Sequence, residues 1–93
     1  MLGPYRIDVT RAAARDFASL ARRPPDKDLI GRIDAAISGL AQIPRPPGSV
    51  KLQGAELWRI VVGDYRVIYA IDDEQRLITV ARVRHRREVY RES

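Results

Sequence analysis

Two β-rich segments separated by only Gly63 and Asp64 place the strongest constraint on how this chain can fold. The segments, residues 57–62 and 65–72, are rich in β-branched and aromatic side chains. Glycine at the first position of a two-residue loop is typical of a type II′ hairpin, which joins antiparallel strands. The spacing therefore predicts a hairpin in which residues equidistant from the turn lie opposite each other.

This register sorts the side chains of the hairpin onto two faces, because directly opposed residues point the same way. One face carries six large side chains that could receive a layer of helices, namely Trp58, Ile60, Val62, Tyr65, Val67 and Tyr69. Arg59 and Arg66 become diagonal neighbours on the other face. Exposed arginine is common, so a solvated sheet surface is the alternative to a binding site for this pair.

The residues before the hairpin predict a strand followed by a helix. Apolar and polar side chains alternate over residues 5–9, as in a half-buried strand. Thr10 is suited to cap a helix, and the helix should end before Pro24 because proline disfavours helical backbone at the preceding residue. The predicted apolar stripe of this helix consists of Ala13, Phe17, Leu20 and Ala21.

A second amphipathic helix is predicted between Asp26, a suitable cap, and the neighbourhood of Pro44. Its apolar face consists of Leu29, Ile30, Ile33, Ala36, Ile37 and Leu40. The short connection makes the two helices an antiparallel hairpin. Residues 44–49, rich in proline, then interrupt regular structure.

A third β-rich segment covers residues 77–83, and the polar tail from His85 to Ser93 has room for one or two helical turns. The predicted order is β-α-α-β-β-β. We expect an α+β fold in which a helical hairpin covers one face of a small antiparallel sheet and a short C-terminal helix follows. Residues 1–93 contain no internal repeat or long linker and are predicted to form a single domain.

The charge of the chain favours an anionic partner. Seventeen Lys and Arg side chains against twelve Asp and Glu give a net charge of +5, and every cation except Lys27 and Lys51 is arginine. Arginine suits two-pronged contact with phosphate and stacking on bases, although codon bias in a GC-rich genome also raises its share. Five arginines crowd residues 82–91 together with His85 and Tyr90, a combination suited to phosphates and a stacked base.

Several kinds of chemistry are excluded by composition. The chain has no cysteine and only one histidine, His85, so we expect no metal site and no cofactor. No segment approaches the roughly 20 apolar residues that span a bilayer, which predicts a cytoplasmic protein without a membrane partner. Cleavage of RNA stays open, because RNA supplies its own nucleophile, the 2′-hydroxyl. The protein then needs only a base, an acid and positive charge.

Four short motifs follow one another along the chain, at residues 51–54, 57–60, 63–69 and 83–90. In sequence and spacing they resemble the RelE-type toxins of bacterial type II toxin–antitoxin systems, within the RelE/ParE superfamily. The resemblance implies a metal-independent messenger-RNA endonuclease that inhibits translation, in the best-known members within the ribosomal A site. It also implies attack by the 2′-hydroxyl and a 2′,3′-cyclic phosphate product.

The resemblance further implies which residues bind RNA. Lys51 and Arg59 correspond to basic residues that hold the RNA backbone. Val61 stands where many relatives carry a second basic residue, which should weaken phosphate binding. Arg84 replaces a glycine found in many relatives, and it either adds a compensating RNA-binding cation or stiffens the start of the tail. The two departures imply reduced activity or a shifted substrate.

Four residues are implied to take part in catalysis. Arg66 corresponds to the arginine that stabilises charge on the scissile phosphate, and Arg86 to a tail arginine that stabilises the leaving group or acts as the acid. Tyr90 corresponds to a terminal tyrosine that orients or stacks on the substrate. His85 occupies a position where related toxins carry Lys or His, and it is the candidate general base.

Two other functions are compatible with this fold. ParE-type toxins inhibit DNA gyrase by binding it, and a catalytically weakened toxin could act mainly as an antitoxin-binding module, an alternative that Val61 keeps open. The tail motif favours the nuclease, whose partners would be messenger RNA and the ribosome. All three imply a heteromeric complex with a cognate antitoxin, and an arginine-rich face suits an acidic, partly disordered segment.

Overall fold

The computed structural model describes residues 3–22 and 27–87. Within them the elements are β1 (Arg6–Val9), α1 (Arg11–Ala21), α2 (Lys27–Gly39), β2 (Val50–Lys51), β3 (Trp58–Val62), β4 (Tyr65–Asp72) and β5 (Leu77–His85). Neither of these helices is long and apolar enough to cross a membrane. The predicted cap Asp26 lies outside the described residues. Arg86 and Arg87 are helical, and the rest of the predicted C-terminal helix lies outside the described residues.

The strands form one five-stranded sheet in the order β1-β5-β4-β3-β2. Strands β3, β4 and β5 are antiparallel, as predicted, but β1 runs parallel to β5 and pairs Arg6 with Leu77. The sheet is therefore mixed. Parallel neighbours need a long crossover connection, and the chain between β1 and β5 contains both helices. The short β2 was not predicted, because two residues carry no periodic signal.

The first helix begins and ends where the sequence predicts. The Oγ1 of Thr10 accepts a hydrogen bond from the amide of Ala13 at 3.1 Å, and the helix ends at Ala21. The expected stripe is correct except at Ala21, which is exposed. Helix α2 ends at Gly39, five residues before Pro44, and the chain continues through a short series of turns.

The register of the hairpin between β3 and β4 is confirmed from Val62 opposite Tyr65 to Trp58 opposite Tyr69. Gly63 has a φ of +59°, whereas Asp64 has no positive φ, and this combination fits a type II′ turn. The helices pack on the predicted face of the hairpin. The buried core consists of Ala13, Leu20, Ile33, Leu40, Ile60, Val62, Val67, Tyr69, Ile78, Val80 and Val83.

A β-bulge changes the alternation of β5. Ile68 lies opposite Arg82 and Tyr69 lies opposite Val80, so Ala81 has no partner in the ladder between β4 and β5. Val80 and Val83 consequently both face the core, although three positions separate them. Strand β5 also continues two residues beyond the predicted end, so His85 belongs to the sheet and not to the tail.

Candidate functional site

The face of the sheet that the helices leave open carries two rows of side chains near the hairpin turn. One row contains Val61, Arg66 and Arg84, and the next contains Arg59, Ile68 and Arg82. Directly opposed residues point the same way, so all six side chains share this face. We refer to Arg59, Arg66, Arg82 and Arg84 together as the arginine face.

Two of these cations are direct neighbours. Arg66 lies opposite Arg84 in the ladder between β4 and β5, which puts the Cβ atoms of such a pair about 5 Å apart. Both side chains are half-buried. Like charges in direct opposition destabilise a sheet, and an anion between the two guanidinium groups would relieve that repulsion. This pair is therefore a candidate position for a phosphate, although the charge of Arg84 also acts on the carboxylate of Asp16 and helps to lower its pKa.

Arg82 belongs to the arginine face by its register, yet its guanidinium group is bound to helix α1. Nε donates to Oδ2 of Asp16 at 2.8 Å, and Nη2 donates to Oδ1 at 3.0 Å. The backbone amide of Val83 donates to the same carboxylate at 2.9 Å. Partial burial raises the pKa of Asp16, but these hydrogen bonds outweigh burial and hold the pKa below its usual value.

The hairpin turn holds the start of the tail. The amide of Arg86 donates to the carbonyl of Asp64 at 2.8 Å, and Arg86 Nε lies 3.9 Å from Asp64 Oδ1. Arg66 follows Asp64 by two residues. The contact therefore brings Arg86 to the same end of the sheet as Arg66.

His85 lies on the face opposite to that of Arg66. It is paired with Tyr65, whose ring it meets edge to face with the centroids 5.3 Å apart. Its Nδ1 accepts a hydrogen bond from the amide of Arg87 at 3.2 Å, which leaves the proton of a neutral ring on Nε2. The structure thus places His85 at the end of the arginine-bearing strand but does not bring it together with Arg66.

The other predicted site residues are more dispersed. Lys51 lies opposite Trp58, away from the arginine face, and its Nζ is 3.5 Å from Oε2 of Glu56. Val61 is 48% exposed and occupies a place in the row of Arg66 without contributing charge. Tyr90 lies outside the described residues.

Sequence reasoning missed Asp16, the carboxylate that binds Arg82. Its contact joins α1 to β5, and no local pattern in the sequence signals an ion pair over 66 positions. Within residues 3–22 and 27–87, no group of His, Asp or Glu side chains is arranged to hold a metal ion.

Comparison with known proteins identifies the family. A family described as the ParE toxin of the type II toxin-antitoxin system, parDE, matches residues 7–90. The chain belongs to the RelE/ParE superfamily. Toxin RelG of Mycobacterium tuberculosis is 32% identical to this RelE-type toxin over 89 residues, covering 95% of this chain and 98% of the relative.

Solved structures agree with the sequence relatives. A chain in the archaeal RelE-RelB complex from Pyrococcus horikoshii OT3 superimposes with a TM-score of 0.74 at 25% identity, covering 89% of this chain and 96% of that one. A chain in the toxin-antitoxin complex RelBE2 of Mycobacterium tuberculosis gives 0.70 at 30% identity, covering 88% and 98%. The protein is thus a RelE-family toxin of a type II toxin–antitoxin system, and the predicted family is confirmed.

Proposed function

We propose that this toxin is a messenger-RNA endoribonuclease that inhibits translation on the ribosome. One observation carries the proposal: Arg66 and Arg84 are directly opposed on a sheet face that the helices leave open, with Arg59 as a diagonal neighbour of Arg66. Guanidinium groups that converge in this way suit the charge that develops on a phosphate during cleavage. A merely solvated face would gain nothing from opposing two like charges.

The proposed reaction takes its nucleophile from the RNA. The 2′-oxygen attacks the adjacent phosphorus and forms the O2′–P bond while the P–O5′ bond breaks. The products are a 2′,3′-cyclic phosphate and a 5′-hydroxyl end. Arg66, supported by Arg84, stabilises the negative charge on the phosphate oxygens in the transition state.

The proton transfers are assigned to the end of β5 and the tail. His85 receives the proton of the 2′-hydroxyl, and Arg86 stabilises or protonates the departing 5′-oxygen, the roles that the family resemblance implies. Because His85 faces away from Arg66, the RNA must pass around the end of the hairpin. The substrate hydroxyl must also replace the amide of Arg87 at Nδ1. Arg59 holds the backbone on the arginine face, Lys51 contacts a more distant part of the RNA because it lies away from that face, and Tyr90 orients the substrate.

The test is to induce the toxin without its partner and map new 5′ ends on translated messages. We expect growth arrest and discrete 5′-hydroxyl ends, both lost in Arg66→Ala and Arg86→Ala. Arg11→Gln, which removes an exposed arginine from α1, is the matched control and should cleave normally.

The gyrase-binding alternative gives a different result in the same experiment. Growth arrest with inhibited gyrase, no new ends and no effect of Arg86→Ala would overturn the nuclease proposal. A catalytically weakened toxin would bind its antitoxin but produce neither growth arrest nor cleavage. The three functions are therefore separated by one set of strains.

We also propose that a cognate antitoxin binds and silences this toxin. Two of the similar solved structures are toxin–antitoxin complexes. The net charge of +5 and the open arginine face favour an acidic segment as the partner. The toxin co-expressed with its neighbouring gene should purify as a heteromeric complex that dissociates at high salt, and purification as a monomer would contradict this proposal.

A further inference from the structure

We propose that Asp16 is a positioning residue that withholds Arg82 from bound RNA, leaving Arg59, Arg66 and Arg84 as the phosphate-binding cations of the arginine face. The inference rests on the proposed function, because it specifies which cations of that surface meet the substrate. The position of Arg82 in the sheet and the partner of its guanidinium group do not agree. Register places Arg82 on the arginine face, whereas its guanidinium group is bound to α1.

The contact between Asp16 and Arg82 has the geometry of a strong ion pair. Two parallel hydrogen bonds of 2.8 and 3.0 Å join the carboxylate to the guanidinium group. Paired bonds of this kind fix orientation as well as supplying energy. The Asp16 side chain is only 15% exposed, against 40% for Arg82, so the carboxylate is the shielded partner.

The strand backbone holds Asp16 in place independently of Arg82. Strand β1 pairs with β5 only as far as Val80. Beyond that point, residues that follow β1 in the chain form the hydrogen bonds to β5. The amide of Thr10 donates to the carbonyl of Val80 at 3.0 Å, and its Oγ1 donates to that of Ala81 at 2.8 Å. The amide of Val83 then donates to Asp16. Asp16 therefore acts as a substitute for the missing strand partner.

RNA cannot recruit Arg82 without breaking this arrangement. A phosphate that captured the guanidinium group would leave a shielded carboxylate with the amide of Val83 as its remaining hydrogen-bond donor among these contacts, and with the charge of Arg84 in place of a direct ion pair. Leaving a carboxylate without its ion-pair partner and shielded from water is unfavourable. Asp16 should therefore bind Arg82 in preference to a solvated phosphate. Arg66 faces no such competition, since its described side-chain bond is a 3.4 Å contact with the carbonyl of Tyr65.

The test counts phosphate contacts through the salt dependence of RNA binding. Each cation that neutralises a phosphate of single-stranded nucleic acid changes the slope of log affinity against log salt by about 0.7. The probe is a short single-stranded RNA with 2′-O-methyl groups, which cannot undergo 2′-hydroxyl attack. We expect Asp16→Asn to steepen the slope by about 0.7 and Arg66→Gln to flatten it by about 0.7.

A double variant separates release of Arg82 from other effects. Arg82→Gln alone should keep the wild-type slope, and Asp16→Asn with Arg82→Gln should return to it. Asp34→Asn removes an exposed carboxylate from α2 and controls for the change in net charge, so its slope should match the wild type. A steeper slope in the double variant or in Asp34→Asn would overturn the inference.

A measurement on the unmodified toxin guards against loss of folding in Asp16→Asn. In NMR spectra of the arginine Nε–H groups, added RNA should shift the signals of Arg59, Arg66 and Arg84 and leave that of Arg82 in place. A shift of the Arg82 signal would overturn the inference while the proposed function stands. A wild-type slope near zero, unchanged by Arg66→Gln, would overturn the inference and the arginine face as an RNA-binding surface, whereas the mapping of 5′ ends on translated messages decides the proposed function separately.

Discussion

Arg66 and Arg84 face each other across β4 and β5, so two positive charges are opposed within one sheet. Such a pair lowers the stability of the empty protein and is relieved when an anion binds. Binding of an anion to the folded state alone therefore raises the apparent stability of the fold. Under the proposed function, activity and stability make opposite demands on these two positions.

Replacing Arg66 with glutamine should separate those demands. The cleavage rate should fall by about 100-fold or more, because one donor to the developing charge is lost. The free energy of unfolding should stay the same or rise by about 0.5 kcal/mol, because the opposed charge is gone. Cleavage in a cell-free translation reaction and urea unfolding measure the two quantities. With Arg11→Gln as the control, a loss of stability in Arg66→Gln would show that Arg66 supports the fold instead.

The contribution of Asp16 to stability should depend on pH. Its pKa in the folded protein lies below the ordinary 3.8, so its stabilising effect is complete above the pKa of the unfolded chain. That effect is lost as the pH falls through the lower folded pKa. At neutral pH, Asp16→Asn should cost about 2 kcal/mol. Urea unfolding of both proteins should show this difference shrinking below about pH 4, and a difference that stayed constant there would argue against the ion pair.

The turn of the hairpin should not tolerate a side chain at its first position. Gly63 has a φ of +59°, where an added Cβ strains the backbone, so Gly63→Ala should cost about 1 kcal/mol. The nearest atom to such a Cβ is Cδ1 of Leu29 at 3.5 Å, an ordinary contact, which makes backbone strain the cause. Gly31→Ala, in α2 with open space around it, should instead stabilise the protein. Urea unfolding that gave both substitutions the same sign would contradict this account.

The hydroxyl of Tyr5 should titrate unusually high. It donates to Oδ1 of Asp73 at 2.5 Å, and this hydrogen bond raises the pKa of Tyr5 above its ordinary value near 10. Because the pKa is raised, the stabilising effect is present below pH 10 and disappears as the pH rises through the Tyr5 pKa. Ultraviolet titration should show a lower Tyr5 pKa in Asp73→Asn, with Tyr5→Phe identifying the transition. An unchanged value would exclude Asp73 as the cause.

The hairpin was the most predictable part of the molecule, because a two-residue loop beginning with Gly63 determines every cross-strand pair that follows from it. That register also predicted which face Arg59 and Arg66 occupy. The helices were similarly accessible, since Thr10 and the apolar spacing after it act locally. Both elements could be predicted because the turn, the cap and the apolar spacing each involve residues that are close in sequence.

Long-range features could not be predicted in the same way. The parallel pairing of β1 depends on a strand more than sixty positions away, and the ion pair of Asp16 with Arg82 spans a similar separation. The faces of Arg84 and His85 depend on the bulge at Ala81, which breaks the alternation without any glycine or proline to mark it. The positions of side chains could therefore be predicted within the hairpin but not on β5, where the bulge decides which face each residue occupies.

The unpaired Ala81 also determines how this toxin can be compared with its relatives. The alternation of side chains in β5 changes phase at Ala81. Up to Val80 the even-numbered residues face the core, and from Arg82 onward the odd-numbered residues do. Deleting Ala81 would remove the bulge and keep Arg82 and Arg84 on the open face and Val83 in the core. Keeping Ala81 but drawing it into the ladder would instead turn both arginines toward the helices and Val83 out of the core. Family members should consequently be aligned from the bulge and not from the first residue of the strand, because a one-residue slip exchanges the positions on the open face with those that face the core.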